Sequence, residues 1–306
     1  MASGAFAQVA NVTLITVITL ITVGPSEAHA SSGRMIVTTN KTLTADHNGQ
    51  IQISANNITL DCAGHKITYS AVSTDGCGAT GTQRCGLRVQ NRTGVTLKNC
   101  EVTGAFQYGV WISGTTSSVL EHVVARSTGV GFRIEGSADL TINRSTAITC
   151  TGGGYEIRDS DDLMMFADSA VSNAGDGIDV NDSSFVNIQS AQVLDNGVNG
   201  IEFDGAPHAS VGSSTIRFNG QHGLSLDPSG TNVATYPCSA FSISSNFVEF
   251  NTDNGIRLQN CDSGFVRNNT AQGNGGCNAN QDAASTGNTW TGNILQTWCG
   301  TVPNPH

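Results

Sequence analysis

The sequence predicts an all-β fold, a right-handed parallel β-helix with three short strands in each coil of about 23 residues. One phrase carries most of this reading: a glycine followed by apolar, any, apolar. It recurs at Gly86, Gly109, Gly131, Gly154, Gly177, Gly200, Gly223 and, after a longer interval, Gly255. Two further apolar alternations follow each glycine phrase, such as Leu140-Thr-Ile142 and then Ala147-Ile148, with Gly, Asn, Asp and Ser between them. Alternation with period two builds strands, and the fixed spacing stacks them coil on coil. Four residues before each glycine runs a second column: Ala105, Ser127, Cys150, Asn173, Asn196, Asn219 and Asn251. Stacked asparagines hydrogen-bond to one another and to turn backbone, so this column is expected to be a buried ladder.

Along the chain, the apolar run Val12 to Val23, then Gly24-Pro25 and Ala28-His-Ala30, reads as a secretory signal peptide over residues 1–30. No Lys or Arg precedes Arg34, so the usual positive n-region is missing, and a short membrane anchor is the rival reading. Residues 31–306 then form a single domain. Met35 to Ile53 alternates as opening strands, and Asn57 to Ile67 makes the first full coil. From about Cys277 the repeat fades, and the segment to His306, with Trp290 and Trp298, is expected to be an irregular cap over the open sheet edges.

A net charge of −10, only three lysines (Lys41, Lys66 and Lys98) and no basic cluster argue against nucleic acid or an anionic membrane surface as partner. The expected product is exported, secreted or periplasmic, and monomeric, with no membrane contact after signal cleavage. Nine cysteines in an exported chain point to disulfides with one thiol left over. Cys77 and Cys85 bracket a Gly/Thr loop; Cys277 and Cys299 tie the last coil to the tail; Cys238 and Cys261 flank the rung with the long insertion. Cys62 and Cys100 close matching phrases and would stack about 4.8 Å apart on adjacent coils. Cys150 falls in the ladder column and is the candidate buried, inert thiol.

Chemistry is expected on the two outward positions of the glycine phrase. The first column reads Arg88, Trp111, Arg133, Glu156, Asp179, Glu202, Ser225, Arg257, and the second Gln90, Ser113, Glu135, Arg158, Asn181, Asp204, Asp227, Gln259. Carboxylates crowd the middle and late coils. Asp204 and Asp227 would lie about 5 Å apart, and Glu202 and Asp227 about 8 Å. Such spacings suit two-carboxylate glycoside chemistry, in which crowding raises one pKa to make an acid, or else recruit Ca²⁺ at Asp204 and Asp227. A solvated acidic strip, offset by Arg133, Arg158 and Arg257, is the plainer alternative.

The opening phrase Asn57-Ile-Thr-Leu-Asp-Cys-Ala-Gly-His-Lys-Ile67 and the repeat resemble the pectin-lyase-like superfamily over nearly all of the mature chain. Within it, Asp176-Gly-Ile-Asp179, Gln221-His-Gly-Leu-Ser225 and Asn254-Gly-Ile-Arg-Leu-Gln259 are similar to the catalytic phrases of polygalacturonase-type glycoside hydrolases. That resemblance implies Asp176 as a catalytic carboxylate, His222 as its tuning partner and Arg257 as a binder of a substrate carboxylate. Where those enzymes carry an adjacent Asp pair this chain has Val198 and Asn199, and where they carry Lys it has Gln259. Asp227-Pro-Ser229 also resembles the Asp-Pro-His phrase of mannuronan C5-epimerases, without the His.

The candidate catalytic set is therefore Asp176, Asp179, Glu202, Asp204, His222, Asp227 and Arg257. The expected partner is a uronate-containing or neutral polysaccharide that the protein binds and, if an enzyme, cleaves or epimerises. The rival from another class is a non-catalytic surface, adhesion or display scaffold, with no cleft, no cation dependence and no turnover.

Overall fold

The computed structural model describes residues 31–69, 76–77, 83–228 and 237–303, so the signal segment lies outside the described residues. Among the described residues the secondary structure is strand and turn, with no helix. The strands assemble into three parallel sheets of 12, 12 and 11 strands, and every third strand in chain order pairs with the next. Sheet I holds the glycine phrases, sheet II the second alternation and sheet III the third. The chain visits I, II and III in turn before rising one coil. Parallel pairing continues through Ala279–Gln281, Thr289–Thr291, Ile294–Leu295 and Trp298–Gly300. The segment expected to be irregular is thus one more regular coil, because Trp290 and Leu295 supply the inward side chains that the shorter motif hid.

The repeat glycines are explained by contact with the coil above. A Cβ at Gly154 would lie 2.5 Å from the carbonyl oxygen of Gly177, and one at Gly177 would lie 2.6 Å from that of Gly200. Only a residue with no side chain fits so close an approach. Inward positions stack into one continuous core, with Ile157, Val180, Phe203, Leu226 and Leu258 fully buried on consecutive coils. Ring faces also stack there, Phe132 on Tyr155 at 4.5 Å.

The asparagine ladder is present from Asn173 onward. The Nδ2 of Asn173 donates to Oδ1 of Asn196 at 2.9 Å, Asn196 to Asn219 at 3.0 Å, and Asn219 to Asn251 at 2.9 Å. Each Oδ1 also accepts a backbone N–H from the coil below, as from Asn173 N to Asn196 Oδ1 at 3.1 Å. Earlier in the chain the expected column is displaced. Ala105 and Ser127 are exposed, and Phe106 and Thr128 fill the inward slot. On these two coils the inward residue stands three places before the glycine, Phe106 before Gly109 and Thr128 before Gly131, so counting back four lands on its exposed neighbour. Sheets II and III are joined by a second ladder that the sequence reading missed, Asn246 to Asn269 to Asn293, each bond 3.0 Å.

Four disulfides join Cys62–Cys100, Cys77–Cys85, Cys238–Cys261 and Cys277–Cys299, the pairs expected from spacing. Cys62 and Cys100 have Cα atoms 4.8 Å apart, the separation of adjacent coils. Cys150 is the free thiol; it is buried, and burial pushes its pKa up.

Candidate functional site

The outward columns of sheet I stack in the expected register. Asp179 pairs with Glu202 and Asn181 with Asp204 across Ile178–Asn181 and Ile201–Asp204. Glu202 pairs with Ser225 and Asp204 with Asp227 across to Leu224–Asp227, and Ser225 pairs with Arg257 beyond. The columns are not uniformly solvated, which corrects the picture of a flat open strip. Trp111 is 2% exposed, Ser225 0% and Asp227 8%. Trp111 packs beside the Cys77–Cys85 clip. Over Ser225 and Asp227 lies the Arg257 guanidinium, which donates to Ser225 Oγ at 3.0 Å and to Asp227 Oδ2 at 3.3 Å.

Charge balance changes along the face. On the early coils Arg133 pairs with both Glu135 and Glu156. Further on, Arg158 reaches Asp179 at 3.6 Å, and Asn181 Nδ2 donates to Asp179 Oδ1 at 2.6 Å. Beyond that point acids dominate. Glu202, Asp204 and Asp227 each place a carboxylate oxygen within 4.8 Å of the other two. Oxygen-only donors of this kind would suit a hard divalent cation. Arg257 already neutralises part of that charge.

Burial and crowding act together on these acids. Glu202 is pushed up to about 8, first by burial and then by the charges of Asp176, Asp204 and Asp179. Asp179 is pushed up to about 7 by burial, with Asp176 adding repulsion. Asp176 is also raised by burial, although hydrogen bonds from Asn199 oppose the shift. The upward shift favours the protonated form of Glu202, the form that a proton donor to a leaving oxygen needs.

A third column forms the rim of this face: Asp176, Asn199, His222 and Asn254, each immediately before its repeat glycine. Each side chain caps a backbone N–H of the next coil. Asn199 N donates to Asp176 Oδ1 at 2.8 Å, His222 N to Asn199 Oδ1 at 3.1 Å, and Asn254 N to His222 Nδ1 at 3.2 Å. Asp176 and His222 are therefore separated by Asn199 and do not meet. Asp253 Oδ2 lies 3.5 Å from the same Nδ1, a contact that would need a proton there. The shorter bond comes from a backbone N–H, which requires Nδ1 to accept, whereas Asp253 is largely exposed. His222 is thus assigned as the neutral Nε2–H tautomer, consistent with burial lowering its pKa.

Aromatic rings flank the acidic coils. Phe185 stacks on His208 at 4.5 Å on the turn from sheet I to sheet II. Phe218 stacks on Phe250 at 5.6 Å on the turn from sheet III to sheet I. The sequence reading missed both pairs. They occupy turn positions with φ of 54° to 60°, where Phe is uncommon and no strand pattern points to it.

Three parallel sheets around one core, with a carboxylate-rich face on the glycine strands, define a parallel β-helix with a surface site. Residues 85–238, half of the chain, match the family described as right handed beta helix region, and the chain belongs to that family. No curated protein matches the sequence. Among solved structures it is similar to the Azotobacter vinelandii mannuronan C-5 epimerase AlgE6 A-module, at 16% identity and TM-score 0.65, covering 89% of this chain and 78% of that one. It is also similar to a mutant of the periplasmic alginate epimerase AlgG, at 14% identity and TM-score 0.63, covering 88% and 74%. A third is the Dettilon tailspike protein, at 12% identity and TM-score 0.61, covering 89% and 61%. At these identities the likeness is one of fold.

Proposed function

We propose that the protein is exported and binds a polysaccharide along sheet I, across the coils that carry Asp179, Glu202, Asp204 and Asp227, and processes it there by acid–base chemistry. The observation that carries this is the convergence of Glu202, Asp204 and Asp227, whose carboxylate oxygens lie within 4.8 Å of one another on a half-buried face. Ordinary solvated acids spread apart; these are held together by strand register. Glu202, whose pKa burial and neighbouring charges raise, serves as the acid, and Asp176 at the rim as the base. Exposed rings on both flanking turns offer apolar faces on either side of the acids.

The alginate epimerases with this fold act on an acidic sugar, and that likeness supports a glycan as the ligand. An acidic face meeting a uronate calls for a bridging cation, and Ca²⁺ at Asp204 and Asp227 is the candidate; a neutral glycan needs none. Four disulfides agree with a location outside the cytosol. No helix among the described residues is long and apolar enough to cross a membrane.

The test is incubation of the mature chain with a panel of neutral and uronate polysaccharides, with and without Ca²⁺, followed by analysis of chain length and sugar configuration. Binding with an altered product supports processing. Binding with an unaltered product reduces the reading to recognition, and no binding at all favours a display scaffold.

A further inference from the structure

The first described coil holds a hydroxyl and an imidazole in contact, away from the acids of sheet I. Ser31–Ser32 and His47–Asn48 are adjacent strands of sheet III, and Ser31 is the direct register partner of His47. Partners in a parallel pair point their side chains the same way, so the serine hydroxyl lies over the ring. His47 is 1% exposed, whereas Ser31 is open to solvent. Ser31 Oγ lies 2.8 Å from His47 Nδ1, and His47 Nε2 lies 3.2 Å from the Gln50 carbonyl oxygen.

Donor and acceptor chemistry assigns the protons. A carbonyl oxygen only accepts, so Nε2 carries the hydrogen and Nδ1 the lone pair. The Ser31 hydroxyl therefore donates to Nδ1. That is the relation of a nucleophile to its base, and the Gln50 carbonyl holds the ring as the third member. Any buried donor would satisfy the imidazole; an accessible hydroxyl is what a nucleophile needs. Ser31 also lines a cavity of about 200 Å³ with Met35, Lys41 and Leu43 among its walls, and Lys41 is its one charged lining residue. From this geometry we infer that Ser31 and His47 form a second, nucleophilic site that hydrolyses a small acyl ester, with Ser31 Oγ as the nucleophile and His47 as the general base. The size of the cavity limits the acyl group to a short one.

The chemistry balances with water as the second reactant. In the first half the Ser31 hydroxyl proton passes to His47 Nδ1 as Oγ bonds to the ester carbonyl carbon, whose π pair moves onto oxygen; the Lys41 ammonium is the charge available to that oxygen. The C=O bond then re-forms, the alkoxy oxygen leaves with the proton from Nδ1, and acyl-Ser31 and a free alcohol result. In the second half water gives a proton to Nδ1 and its oxygen bonds to the acyl carbon. Oγ then leaves and takes that proton back. The sum is ester and water giving acid and alcohol, with both residues restored.

The experiment treats the purified, disulfide-bonded protein with a fluorophosphonate probe, locating adducts by peptide mass mapping, and separately with 4-nitrophenyl acetate and 4-nitrophenyl octanoate. Wild type is expected to carry its adduct at Ser31 and to hydrolyse the acetate faster than the octanoate. Ser31→Ala should lose the adduct and the hydrolysis, and Ser31→Cys should keep an acylatable nucleophile at the same place. His47→Phe keeps a ring but has no Nδ1, and it should react about a hundredfold more slowly. A hydroxyl that only caps a buried imidazole would give a different pattern: no adduct at Ser31 in folded protein, or acetate hydrolysis unchanged in Ser31→Ala. Either result overturns the inference. Should His47→Phe fail to fold, as read by circular dichroism, the Ser31 variants decide alone.

Discussion

Asp204 and Asp227 are direct register partners on adjacent coils, and a carboxylate oxygen of each lies within 4.8 Å of the other. Two like charges at that distance repel unless a proton, a cation or an arginine intervenes, and Arg257 Nη1 stands 3.3 Å from Asp227 Oδ2. Removing the charge should therefore relieve strain in the stack. Asp204→Asn is expected to keep the fold and to melt at the same temperature or higher at pH 8, read by circular dichroism. A fall of several degrees would mean that the Asp204 carboxylate is a structural acceptor and not a site group.

The asparagine ladder gives a stability prediction of the opposite sign. Asn196 accepts from the backbone and side chain of Asn173 and donates to Ala170 O and Asn219 Oδ1. Asn196→Leu strands those buried partners and should cost about 1–3 kcal/mol per group left unsatisfied. Gln192→Ser, at an exposed position on the neighbouring strand, should cost little. Equal denaturant midpoints for the two variants would contradict the inward placement of the ladder.

Buried Asp168 makes stability depend on pH. It is 1% exposed, and burial pushes its pKa from 3.8 to about 7. Its Oδ1 accepts from Ser145 N at 2.6 Å, while its Oδ2 and the buried Tyr155 hydroxyl make no hydrogen bond among the described residues. Between those two pH values the folded chain binds the proton and the unfolded chain does not, so stability falls as pH rises through that window. Glu202 and Asp179, also raised, add to the same slope. The wild type should melt lower at pH 8 than at pH 5. Asp168→Asn should remove its share of that difference, leaving the part due to Glu202 and Asp179, and gain stability on the order of a few kcal/mol at pH 8. An unchanged slope in the variant would show that Asp168 contributes nothing to the pH dependence.

Cys150 supplies a check on register that needs no mutation. Its Sγ lies 3.4 Å from Thr128 Oγ1 inside the ladder column. Alkylation under native conditions should be negligible over hours and complete in denaturant, as read by peptide mass mapping. Rapid native labelling would place the column at the surface.

Much of this molecule is legible in the sequence because the glycine phrase repeats the coil's geometry: Gly200 must be glycine for the same steric reason as Gly177. The outward columns and the disulfides follow from counting. Counting fails where the inward residue stands three rather than four places before the glycine, which is why Ala105 and Ser127 stand one residue outside the ladder. It fails also where burial comes from another coil, since nothing in the phrase around Asp227 says that Arg257 lies over it. Asn199 shows a third limit. It links Asp176 to His222 along the rim through its backbone N–H and its side-chain Oδ1, and residue identity at one position, compared with a family phrase, registers only that an acid is missing.

The most direct test of the glycan-binding face is a calorimetric titration of wild type and the Asp204→Asn/Asp227→Asn double variant with the polysaccharide panel, each with and without Ca²⁺. Wild type should bind at least one glycan, and the folded double variant should bind it at least tenfold more weakly, or lose the Ca²⁺ dependence of binding. Equal affinities for every glycan, in protein shown by circular dichroism to be folded, would contradict a site on this face.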